Sequence, residues 1–138
     1  MIRLRGALAA LSIAVVCVIG SAQAQFSFKA AFTCPNQAEV EKRLTQYITV
    51  DYWSPGQRAI WQVKDVTDIK FGPIRTGQIG KHVTAQAVQR DACPVRVEYS
   101  FLVVKNNGSR ETTKMGDGKT HRFFRDDFND WQMVIQTP

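Results

Sequence analysis

The chain has 138 residues, with eighteen Lys and Arg against twelve Asp and Glu and a formal net charge of +6. A chain of this size holds one domain rather than two, and it shows no internal repeat or low-complexity segment. Its pI near 9.5 favours weak association with anionic partners such as lipid headgroups, cell-wall polymers or nucleic acid, but it does not decide the fold.

Residues 1–24 have the layout of a cleavable secretory signal: Arg3 and Arg5 at the charged start, an apolar run from Gly6 to Gly20, and Ala22-Gln23-Ala24 as a small-residue cleavage site. The apolar run is shorter than the roughly twenty residues a spanning helix requires, so no transmembrane anchor is expected after cleavage. Lipidation at Cys17 is the rival reading, but Cys17 follows Val15 and Val16 inside the apolar run. Cleavage after Ala24 leaves a single domain over 25–138 that is exported to the bacterial periplasm or beyond. Two of the eighteen basic residues leave with the signal, so sixteen face twelve acidic residues and the net charge falls to +4. Cys34 and Cys93 then form an even set in an oxidising compartment and read as one disulfide. There is no Cys-x-x-Cys spacing to suggest redox catalysis.

Phe26, Phe28, Ala30 and Phe32 alternate with smaller or polar residues, which predicts a strand over 26–32. The period then changes. Val40, Leu44, Tyr47 and Ile48 fall on one helical face, and Asn36 with Glu39 makes a capping pair for a helix within 35–49. Ser54-Pro55-Gly56 reads as a turn or as the start of one short helical turn. Ala59, Trp61 and Val63 alternate, and Val66, Ile69 and Phe71 continue after a phase shift, predicting a bulged strand. Glycines at 72, 77 and 80 punctuate a loop, after which a strand is expected over 82–90.

The clearest strand is expected over 95–104, where Val95, Val97, Tyr99, Phe101 and Val103 share a face. Asn106-Asn107-Gly108 ends it in a turn. Residues 109–119 read as a mobile polar connection without core residues. Strands over 121–125 and 131–136 close the chain, joined by the polar run 126–130. The expected fold is therefore α+β, with one main helix packed on an antiparallel sheet of about four to five strands.

This order of strand, helix and antiparallel meander, closed by Phe123-Phe124-Arg125 and Asp130-Trp131-Gln132, resembles the cystatin-like superfamily fold. That grouping includes the cystatins and the relatives of nuclear transport factor and ketosteroid isomerase. The Gln-x-Val-x-Gly run of inhibitory cystatins is absent; Gln78-Ile79-Gly80 is no equivalent. The isomerase-like relatives use a carboxylate as general base, and a buried Asp65 or His121 beside a pocket would be its counterpart here.

Direct signals for chemistry are sparse. His82 and His121 lack partners at metal-ligand spacing, the Asp126, Asp127 and Asp130 cluster lacks calcium-loop spacing, and no cofactor motif is present. A pocket between helix and sheet would draw on Tyr52, Trp53, Trp61, Asp65, Tyr99, His121 and Trp131. The bland alternative is that the aromatics fill the core. Lys105, Arg110, Lys114, Lys119, Arg122 and Arg125 make a second candidate, a contact for anionic surfaces. The resulting expectation is a noncatalytic binding or accessory protein of the bacterial envelope, with another envelope or exported protein as partner and no specific nucleic acid. The alternative is a small pocket-bearing enzyme or lipophilic-ligand carrier.

Overall fold

A computed structural model of the chain describes residues 30–137. The signal segment lies outside the described residues, as does most of the expected 26–32 strand, and residues 30–36 carry no regular secondary structure.

Helix α1 spans Gln37–Gln46 and starts on the reciprocal cap its sequence predicts. The Glu39 backbone N–H donates to Asn36 Oδ1 at 2.9 Å, and the Asn36 N–H donates to Glu39 Oε2 at 2.9 Å. A π-helical turn, Tyr47–Tyr52, follows directly, and the Trp53 N–H donates back to the Ile48 carbonyl at 3.2 Å. Val40, Leu44 and Ile48 therefore share one face and are fully buried. Each contributes about 1.5–3 kcal/mol by leaving water.

Ser54-Pro55-Gly56 begins a second helix, α2, Pro55–Trp61, with the Ser54 hydroxyl accepting the Gln57 N–H at 3.4 Å. The expected strand character of Ala59 and Trp61 is thus corrected: proline at the first position and a serine cap outweigh a three-residue alternation. No α2 residue is buried. Gln62, in the left-handed region at φ 54°, turns the chain into the first strand.

Eight strands follow: β1 Val63–Phe71, β2 Arg75–Thr76, β3 Gly80–Val83, β4 Gln89–Arg96, β5 Tyr99–Lys105, β6 Arg110–Met115, β7 Thr120–Arg125 and β8 Trp131–Gln136. All pairings are antiparallel. They form a three-stranded sheet, β1-β5-β6, and a five-stranded sheet, β2-β4-β7-β8 with β3 also on β4. The α+β class is as expected, but there are two sheets and more strands.

The expected 95–104 strand is in fact the junction between the sheets. β4 and β5 form one spine that bends at Val97 and Glu98, where strand pairing lapses. The segment from β1 to β3 follows the spine along one side, with the Gly72 N–H donating to the Glu98 carbonyl and the Gly77 N–H to the Pro94 carbonyl, both at 2.8 Å. Its register slips on the way: Val66 faces Val103, Phe71 faces Tyr99, Arg75 faces Arg96 and Gly80 faces Ala92. The first of these slips lies within β1, between Thr67 and Lys70, where Asp68 has φ 52°, and an earlier one in β1 lies between Val63 and Asp65. Extra residues on one flank curve a sheet. The inward face survives the bend, since Val95, Val97, Tyr99, Phe101 and Val103 are all buried.

Two further expectations are corrected. The 82–90 stretch is not one strand but a hairpin joining β3 to β4. Ala87 adopts φ 60°, and the Thr84 N–H donates to the Val88 carbonyl at 2.9 Å. About half of the 109–119 stretch is strand β6, paired along its whole length with β5 from Tyr99 to Val104. Its polar side chains hid it, because backbone pairing rather than an apolar face holds it in place. Met115, at its end, packs against the core.

Cys34 and Cys93 are joined, with Cα atoms 5.5 Å apart. The bridge ties the segment before α1 to β4, where Cys93 is fully buried opposite Phe123. Among the described residues no helix is long and apolar enough to cross a membrane.

Candidate functional site

The seven residues of the expected pocket fall into separate places. Tyr52 and Trp53 sit at the end of the π-helical turn, their rings edge to face at 5.4 Å. Tyr99 and His121 meet inside the core with ring centroids 5.7 Å apart. Trp131 begins β8, where Phe32 packs edge-on against it at 5.9 Å and the Arg125 guanidinium stacks 3.8 Å from the ring centroid. Trp61 is exposed on α2, beside the Lys105 ammonium that donates to its carbonyl at 3.1 Å. Asp65 is exposed on β1, where its Oδ1 accepts the Val66 N–H at 2.8 Å. A general base in the interior is therefore not what Asp65 provides.

His121 is the one buried polar side chain among the described residues. Its Nε2 lies 3.5 Å from the Tyr99 hydroxyl, and Nδ1 has no hydrogen-bond partner of good geometry. Burial pushes the imidazole below its ordinary value of 6.5; the Val95 main chain opposes this and the Lys119 ammonium adds to it. Burial likewise pushes the Tyr99 phenol up, helped by Tyr47 and Tyr52. The pair is thus held neutral on both sides, which suits packing better than proton transfer near neutral pH. Phe101, Phe123, Leu44, Ile48, Val40, Val95 and Cys93 are likewise fully buried and belong with Tyr99 to one hydrophobic cluster. No carboxylate reaches this interior among the described residues.

The six expected cations do not converge either. Arg122 Nε donates to Gln136 Oε1 at 2.6 Å and its Nη1 to the Lys81 carbonyl at 3.0 Å. Arg125 Nη1 donates to the Asn129 carbonyl at 2.8 Å and Nη2 to Glu39 Oε1 at 3.2 Å. Lys105 is held by Trp61. Arg110 and Lys114 remain exposed on β6, and Lys119 lies in the turn before β7. Lys119 instead joins Arg75 and Arg96, which sequence reading did not single out, in a cleft of about 360 Å³ at the bend of the spine. Only the strand register could have revealed that grouping, because Arg75 and Arg96 are twenty-one positions apart and become neighbours through β2–β4 pairing.

The outer surface has one further marked feature. Phe128 is 86% exposed at the tip of the β7–β8 hairpin. Asp126 stiffens that tip: its Oδ1 accepts the Phe128 and Asp130 N–H groups, both at 2.9 Å, and its Oδ2 accepts from Gln132 at 2.8 Å. These bonds, the Gln132 one first, hold the Asp126 carboxyl below its usual range. Among the described residues no group of three His, Cys, Asp or Glu side chains is placed to hold a metal ion. No protein-family model matches the chain, and no curated protein or solved structure matches it at a significant level.

Proposed function

We propose that this chain is an exported, noncatalytic binding or accessory domain of the bacterial envelope, acting through its outer surface rather than through an interior pocket. The observation that carries this reading is the apolar packing of the core. Aliphatic and aromatic side chains from α1 and both sheets form one buried cluster, with no carboxylate among the described residues. A catalyst or lipophile carrier of this architecture requires empty apolar space with a few convergent polar groups. Export is supported by the signal-like layout of residues 1–24 and by the Cys34–Cys93 bridge, a bond that persists in oxidising compartments. The stiffly held Phe128 supports surface recognition, since aromatic side chains are common anchors of protein interfaces.

The test is expression with the native N-terminus in a bacterium, followed by fractionation, N-terminal sequencing and in-cell cross-linking. The expected result is a chain beginning at Gln25 in the periplasm or medium, without free thiols and with a recurrent adduct to one envelope component. A cytosolic chain that keeps Met1 and forms no adduct contradicts the reading.

A further inference from the structure

The bend of the spine carries a charge cluster that the packing of the core does not require. Arg75 and Arg96 face each other directly on β2 and β4. Register partners in an antiparallel pair project from the same face, with Cβ atoms about 5 Å apart, and like charges placed this way repel. Lys119 adds a third cation from the 116–119 turn. Glu98 is the one carboxylate lining the cleft, so the four charges leave a net +2. Among the described residues, neither arginine, Lys119 nor Glu98 takes part in an ion pair.

The frame around these side chains is rigid. Gly116 has φ 91°, and a Cβ there would collide with the Val97 carbonyl oxygen, so the turn lies directly on the spine. The Lys119 N–H closes that turn by donating to the Gly116 carbonyl at 3.1 Å. Pro73, with its fixed φ, also lines the cleft. Arg75 and Arg96 are both exposed and share one face of the β2–β4 pair, so their like charges repel, and a bound oxyanion removes that repulsion. Guanidinium forks match tetrahedral oxyanions with paired hydrogen bonds.

We propose that the cleft formed by Arg75, Arg96 and Lys119 binds a phosphate-type oxyanion. The net +2 matches a phosphate monoester better than a single carboxylate. A soluble phosphate ester and a lipid headgroup share this chemistry, and the experiment separates them.

The protein is titrated with inorganic phosphate at constant ionic strength while the backbone amide signals of Gly116, Gly118 and Lys119 are followed by NMR. The expected result is a saturable shift confined to the cleft. Arg96→Gln and Arg75→Gln each weaken binding by about tenfold or more, as expected for loss of a charge-assisted hydrogen bond, while Lys114→Gln outside the cleft does not. R96Q also melts at a higher temperature than the parent in low salt without phosphate, which shows that it folds and that the repulsion is real.

Vesicles containing phosphatidic acid provide the second arm, against phosphatidylcholine alone. Retention that R96Q abolishes assigns the site to a headgroup phosphate. A phosphate response without retention assigns it to a soluble ester. Equal shifts with chloride, unchanged phosphate binding in R96Q, or a lower melting temperature for R96Q overturns the proposal.

Discussion

Arg125 on β7 reaches Glu39 on α1, with Nη2 3.2 Å from Oε1 across 86 positions of sequence. The same carboxylate caps α1 through the Asn36 N–H, and the same guanidinium lies over Trp131. One side-chain pair therefore anchors the helix start to the sheet. The carboxyl is held below its usual range by the indole N–H of Trp131, which faces it without closing a well-formed hydrogen bond, then by Asn36 and by Arg125.

Because the folded value is depressed, the stability that Glu39 contributes is present above its unfolded value of 4.5 and lost as pH falls through the folded one. Both side chains are about one-third exposed, so solvent screening keeps the pair's own share small. Glu39→Ala is expected to cost about 1 kcal/mol at neutral pH, mostly through the cap, and to flatten the acid limb of stability, whereas Glu39→Gln keeps the cap and flattens only the acid limb. Urea unfolding at a series of pH values checks both effects.

His121 acts in a higher pH window. Its folded value lies below 6.5, so the unfolded chain takes up a proton first. Stability is complete above 6.5 and declines as pH falls towards the folded value. In His121→Asn that decline disappears between pH 7 and 5, while stability at neutral pH also falls because the ring fills the core. The slope of unfolding free energy against pH measures the first effect separately from the second.

The Cys34–Cys93 bridge closes a loop with a sequence separation of 59. Chain-entropy reasoning gives about 4 kcal/mol for such a loop, with measured effects more often about 2–4 kcal/mol. The Cys34→Ala/Cys93→Ala double variant is expected to lose stability in that range by denaturant titration, and the chain beginning at Gln25 is expected to show no free thiol under denaturing conditions.

Gly116 and Gly108 separate conformational strain from collision. Both have positive φ, 91° and 84°, but only Gly116 abuts the spine; nothing lies within 4 Å of a Cβ at Gly108. Gly108→Ala should cost about 1 kcal/mol. Gly116→Ala should cost several times more, because its Cβ would meet the Val97 carbonyl oxygen and the Glu98 Cα, both main-chain atoms that move only with the backbone. Thermal melts of the two variants give the ratio directly.

How far the fold could be read in advance follows from where its information is stored. The α1 cap and the buried face of Val40, Leu44 and Ile48 are local patterns, and they were legible. So was the inward face from Val95 to Val103, because a two-residue period continues through the bend. The break at Val97 and Glu98 was not legible, since nothing in that alternation marks a change of sheet. β6 was hidden because residues Arg110–Met115 are held by main-chain pairing and carry polar side chains on both faces. Of the site residues, the Cys34–Cys93 pairing came from counting cysteines. The Arg75–Arg96 pairing depends on a register set by successive slips along β1 to β3, which sequence spacing does not encode.

The proposal of a surface-acting module rests on the apolar packing of the core, in which, among the described residues, His121 is the one buried polar or charged side chain. The most direct measurement is equilibrium titration of the folded protein with a neutral lipophilic fluorophore such as N-phenyl-1-naphthylamine, which the cationic cleft does not attract. A packed core that buries Phe101, Phe123 and His121 predicts no saturable enhancement and unchanged tryptophan emission. One-to-one saturable binding that quenches tryptophan emission would contradict it and establish a ligand-holding interior.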